Sequence, residues 1–139
     1  MKLGSCVCAS LVLWAGYVES AFSQTLRLEG RFEFRTDEES KDVLGDQVCF
    51  FPDHLTARLV PREKSDRRLV WFCFANTADA KRMLNISSSL PSKNCGYAGN
   101  ATVAVTGYKV YLGEGDGNDV AVLVNVTSLS KSESIKCAQ

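Results

Sequence analysis

A chain of 139 residues with 45% apolar side chains is long enough for one modest hydrophobic core and short for two domains. Its 16 basic and 16 acidic residues balance, so it lacks the Lys/Arg excess of a nucleic-acid binder, and no nucleic-acid partner is expected. The one basic cluster, Arg62, Lys64, Arg67 and Arg68, is interrupted by Glu63 and Asp66 and reads as a solvated loop.

The first residues, Met1-Lys2, lead into an uncharged apolar stretch over residues 3–18. Polar Glu19-Ser20 and the small-residue site Ala21-Phe22-Ser23 follow. These are the three regions of a signal peptide, with cleavage expected after Ser23. The apolar stretch falls short of the roughly 20 residues that span a bilayer, so a retained anchor fits less well and no stable membrane span is expected after cleavage. Cys6 and Cys8 come too early in the apolar region for a lipoprotein and leave with the signal. The expected organisation is a signal peptide over 1–23 and a single domain over 24–139, periplasmic or secreted. The short, simple signal leans toward a bacterial exported protein.

In residues 25–35, Leu26, Leu28, Gly30, Phe32 and Phe34 alternate with Arg27, Glu29, Arg31, Glu33 and Arg35, the pattern of a half-buried strand. The charged run 36–42 and Leu44-Gly45-Asp46 break that period. A second strand is expected over 47–51, closed by Pro52, with 55–60 extending it past an irregularity and 61–66 a polar connection. A third strand, 69–74, is continuously apolar and aromatic, which suits burial on both faces or an aromatic surface. Asn76 or Thr77 can cap a short helix to about Leu84. After a Ser/Pro/Asn-rich loop over 87–94, residues 101–112 and 120–130 read as two long strands. They are joined by the turn Gly113-Glu114-Gly115-Asp116-Gly117-Asn118. The order β-β-β-α-β-β predicts a mainly β fold with one short helix, a five-stranded Greek-key (OB-like) barrel. An open sheet carrying one helix is the alternative.

Four cysteines remain after cleavage: Cys49, Cys73, Cys95 and Cys137. In an exported chain they predict two disulfides. Opposed residues in an antiparallel hairpin have position numbers of constant sum. The midpoint of Cys49 and Cys73 is Pro61, and that of Cys95 and Cys137 is Asp116, both in expected turns. The expected pairs are therefore Cys49 with Cys73 and Cys95 with Cys137. The same sum sets Phe50 against Phe72, Val48 against Phe74 and Phe51 against Trp71, with Val48, Phe50, Val70, Phe72 and Phe74 inward. In the second hairpin it sets Leu112 against Val120, Val110 against Val122 and Tyr108 against Val124, leaving Lys109, Tyr111 and Leu123 outward. The face of strands two and three is the usual binding surface of an OB barrel. Phe51, Trp71 and Tyr111 are accordingly the expected contacts to a partner or ligand, unless the helix or a loop covers them.

Catalytic signals are weak. The single histidine, His54, follows Asp53, which could orient it as a base, but no nucleophile motif such as G-x-S-x-G accompanies it. No mature CxxC and no zinc spacing occurs. Glu114, Asp116, Asn118 and Asp119 could hold Ca²⁺, although a hairpin turn explains the same composition and the spacing is not that of an EF-hand. Asn85, Asn100 and Asn125 begin N-x-S/T sequences, glycosylation acceptors only in a eukaryotic secretory pathway. The expectation is a non-enzymatic binding protein without cofactor or metal that recognises another protein, as an inhibitor or immunity-type partner does. A carbohydrate or small-ligand module is the alternative, and an enzyme using His54 ranks third.

Overall fold

The alternation in the first segment becomes strand β1, Leu26–Arg35. Leu26, Leu28, Phe32 and Phe34 are buried, while Arg27, Glu29 and Arg31 face solvent, as a period of two dictates. In this computed structural model residues 24–115 and 117–137 are described. The expected signal peptide, with its cleavage site after Ser23, and Asp116 lie outside the described residues.

β1 is the spine of the molecule. It pairs antiparallel with β2, Val48–Pro52, on one side, and over all ten of its residues with β4, Asn94–Lys109, on the other. β2 pairs with β3, Phe72–Phe74, and β3 runs parallel to β5, Asp119–Leu129. β5 returns antiparallel to β4. Five strands thus close a ring in the order β1-β2-β3-β5-β4, in a sheet that is mixed because of the one parallel pair. A sixth strand, β6, Glu133–Lys136, lies along the first residues of β4.

The ring encloses the core. Phe32, Phe50, Phe72 and Phe74 are fully buried, each contributing roughly 1.5–3 kcal/mol. Phe72 meets Phe74 and Tyr108 edge-on at 5.6 and 5.4 Å, a favourable aromatic geometry. The helix expected after the third strand is present as α2, Thr77–Met83, and buries Ala80 and Leu84 in the core. Asn76 joins it to the sheet. Its side chain donates to the Leu123 carbonyl at 2.8 Å and accepts from the Leu123 N–H at 2.9 Å, continuing the β3–β5 ladder by one residue's worth of bonds.

Several expectations are corrected. Among the described residues there are two α-helices rather than one. The charged run holds α1, Glu38–Leu44, capped by Asp37, whose Oδ2 accepts from the Ser40 N–H at 3.0 Å. The helix was hidden because none of its residues is buried, so no apolar stripe marks it. The segment 55–60 does not extend β2. It forms a 3-10 turn, Thr56–Leu59, held by Asp53, whose Oδ1 accepts from both the N–H and the hydroxyl of Thr56 at 2.8 Å. β4 begins seven residues before its expected start. Gly96 lies inside it where a Cβ would come within 2.1 Å of the Phe34 carbonyl oxygen, so close strand approach calls for glycine there.

The first hairpin keeps its expected register, Cys49 opposite Cys73 and Phe50 opposite Phe72. The second does not. Lys109 pairs with Val120, Thr106 with Val122 and Val105 with Leu123, with three register shifts along the ladder. Leu123 is therefore buried, not outward, while Val122 and Val124 are exposed. Such shifts flip a strand's faces because side chains alternate with a period of two.

Candidate functional site

Both expected disulfides are present, Cys49–Cys73 and Cys95–Cys137. Cys49–Cys73 is buried across β2 and β3. Beside it the chain places Phe51 and Trp71 as a parallel stack, ring centroids 5.9 Å apart and 13° between planes. Phe51 is exposed and Trp71 half-buried, so the pair forms an aromatic patch on the outer side of the ring.

Next to this stack the chain leaves regular structure. Residues 61–71 precede β3 and residues 110–118 precede β5, and the two loops are tied to each other. Arg62 and Asp119 form an ion pair, with side chains 9% and 2% exposed. Arg62 also donates through Nη1 to the carbonyls of Arg68 and Leu69 at 3.1 and 3.3 Å. The Asp119 carboxylate additionally accepts from the Tyr108 hydroxyl and from the Tyr111 N–H, the latter at 2.8 Å. Arg68 grips the Asp66 carboxylate through Nε at 2.9 Å and Nη2 at 2.7 Å, and its Nη1 donates to the Tyr111 carbonyl at 3.1 Å.

The electrostatics follow from these contacts. Burial pushes the Asp119 carboxyl up, but hydrogen bonds from Tyr108, the Tyr111 N–H and Arg62 outweigh it, and the group ends below its ordinary value. The hydrogen bonds from Arg68 hold Asp66 well below the carboxylate range. Burial, then the hydrogen bond to Asp119, pushes the Tyr108 hydroxyl up. Asp119 is thus an anion and Tyr108 a neutral donor at neutral pH.

Two leucines ride on this lattice. Leu69 follows Arg68 and Leu112 follows Tyr111, so each adjoins one end of the bond between the loops. They are 86% and 88% exposed. Leu112 and Val110, with Pro61, Arg62, Asp66 and Arg68, line an open cleft of about 630 Å³.

The other expected site residues fall elsewhere. Tyr111 does not join the stack. Its hydroxyl donates to the Glu114 carbonyl at 2.9 Å, and Gly117 lies so close over its ring that a Cβ would come within 2.1 Å of Cζ. His54 is exposed beside Arg58, whose Nη2 lies 3.4 Å from Nδ1, while Asp53 is committed to Thr56 and does not orient it. Asp119 is turned inward, its carboxylate held by Arg62, Tyr108 and the Tyr111 N–H. Among the described residues no group of three or more His, Cys, Asp or Glu side chains is placed to hold a metal ion. Asn85, Asn100 and Asn125 are all exposed.

Sequence reasoning missed Arg62, Asp66, Tyr108 and Asp119 as a unit, because 57 positions separate the ion pair. The one local signal was Asp119 itself, an acidic residue opening an apolar strand. Among the described residues no helix is long and apolar enough to cross a membrane, and two disulfides are consistent with an extracellular or periplasmic location. Compared with protein-family models, with curated proteins and with solved structures, the chain matches none.

Proposed function

We propose that this is an exported, non-enzymatic binding protein that recognises another protein through the outer face at Phe51 and Trp71 and the adjoining loop rim at Leu69 and Leu112. The observation that carries it is the pair of nearly fully exposed leucines on loops fixed by a buried ion pair. A surface ordered before contact loses little conformational entropy on binding, so its apolar area goes into affinity. The strand order β1-β2-β3-β5-β4, the parallel β3–β5 pair and α2 between β3 and β4 support an OB-like barrel as the scaffold, in which the face of the second and third strands is the usual contact surface.

A protein partner is favoured over a glycan. The rim at Leu69 and Leu112 adds exposed aliphatic groups that suit protein side chains. The test uses oxidised mature protein to capture partners from native extract and then titrates the captured protein by calorimetry. Trp71→Ala and Leu69→Asp are each expected to weaken binding at least about tenfold, the scale of one hot-spot residue. Equal affinity of both variants, or retention of glycans in place of a protein, refutes the proposal.

A further inference from the structure

The two disulfides sit in opposite environments. Cys49 and Cys73 are 2% and 0% exposed, whereas Cys95 and Cys137 are partly exposed. The latter two line an open cleft of about 590 Å³ with Arg35, Lys136 and the acidic start of α1. Acidic and basic groups share that cleft, so access, more than local charge, separates the two bonds. Thiol–disulfide exchange requires an attacking thiolate to reach a sulfur atom, and a sulfur shielded by packed side chains is closed to it.

The exposed bond also holds little else in place. β6 has four residues, none of them buried, and among the described strands it pairs only with β4, from Asn94 opposite Lys136 to Ala98 opposite Glu133. β4 itself is secured by β1 over Gly96 to Val105. Removing β6 would therefore leave the five-strand ring paired, and Cys49–Cys73 inside it intact.

We propose that Cys95–Cys137 is a redox latch, which a dithiol opens selectively to release β6 from the Asn94–Ala98 stretch of β4 while the ring stays folded. A thiolate of the dithiol attacks one sulfur of the bond, and the electron pair leaves on the other, which takes a proton. The second thiol of the dithiol, deprotonated, then attacks the mixed disulfide and expels the remaining cysteine as a thiolate that is protonated in turn. Two electrons pass to the cystine, and the dithiol leaves as a disulfide. With the crosslink gone, β6 keeps its ladder to β4, and the bond from the Cys137 N–H to the Lys93 carbonyl at 3.0 Å has no covalent support.

The test treats oxidised mature protein, residues 24–139, without denaturant, with graded dithiothreitol. The reaction is quenched with iodoacetamide, and the alkylated cysteines are located by mass spectrometry. Cys95 and Cys137 are expected to be alkylated at least about tenfold faster than Cys49 and Cys73, through an accumulating species carrying two added groups. In that species the β6 amides exchange with deuterium at close to the unprotected rate, while β1 and β2 amides stay protected. All four cysteines reacting together, Cys49 and Cys73 reacting first, or β6 protection surviving in the opened species would each overturn the proposal. The double variant Cys95→Ser/Cys137→Ser is a second check. It is expected to reproduce the exchange pattern of the opened form without reductant, and either global unfolding or a fully protected β6 counts against the latch.

Discussion

Asp119→Asn removes one charge and almost no volume, and its effect follows from the contacts of a single carboxylate. That carboxylate, 2% exposed, neutralises Arg62 and accepts from the Tyr108 hydroxyl and the Tyr111 N–H. The amide leaves the guanidinium buried beside a neutral group and turns an NH₂ toward at least one of three donors. Breaking a buried pair by removing one partner costs about 3–5 kcal/mol. Arg62 retains a longer contact to Asp66, 3.6 Å from Nη1, which places the expected loss at the lower end, about 3 kcal/mol. Urea denaturation at pH 7 with an unchanged m-value measures it. Replacing both members by leucine should not rescue the protein, because Tyr108 and the Tyr111 N–H then lose their acceptor, at about 1–3 kcal/mol each. A loss below about 1 kcal/mol for Asp119→Asn, the scale of a solvated surface pair, would refute the idea that this network orders the loops.

The same carboxylate predicts an acid limb. Its folded value is lowered, so its contribution is complete above the unfolded value of about 3.9 and is lost as the pH falls below it. The decline in stability between about pH 5 and pH 2 should be steeper in the wild type than in Asp119→Asn, and equal slopes in denaturation at stepped pH contradict the assignment. Asn76→Ala should cost about 1–3 kcal/mol, because the Leu123 N–H and carbonyl both lose their partner, and hydrogen exchange at Leu123 reports it directly. Gly30→Ala should destabilise by about 1–3 kcal/mol through overpacking, since its Cβ would lie 2.2 Å from the Phe51 carbonyl oxygen and 2.8 Å from Pro52 Cα, both backbone atoms. An unchanged thermal midpoint for that variant would show that β1 and β2 can separate there freely.

What was legible in the residues was local and periodic. Alternation in β1 and the constant sum of the Cys49–Cys73 hairpin carried through to the pairs and the buried faces, since no bulge intervenes over those few residues. The second hairpin failed on the same rule because its ladder slips between Thr102 and Val103, between Ala104 and Val105, and between Thr106 and Lys109. Its apolar residues, Val120 to Val124, are too uniform to reveal which face is inward. Cys95 and Cys137 were matched correctly for a different reason from the one expected, since Cys137 directly follows β6, which lies along the start of β4. Half of the candidate surface, the Phe51–Trp71 stack, was accessible to register arithmetic. The other half, Leu69 with Leu112, depends on loops whose shape comes from a long-range ion pair, and no local pattern encodes that.

The ion pair between Arg62 and Asp119 does more than fill space between the loops. A well-packed apolar pair of similar volume often matches an isolated buried salt bridge in stability, but here the Tyr108 hydroxyl and the Tyr111 N–H also depend on the Asp119 carboxylate. The loops between strands nevertheless present main-chain groups that no ladder satisfies: the carbonyls of Arg68, Leu69 and Tyr111 and the N–H of Tyr111. Arg62 and Arg68 donate to the carbonyls, and Asp119 accepts from the amide. An apolar contact could fill the space but could not fix these groups in one conformation, since it has neither donors nor acceptors. Released from those bonds, the segments around Leu69 and Leu112 would be free to fold both leucines against the ring and lower their exposure to water. The charged tethers hold both leucines outward, in the geometry a protein partner would meet.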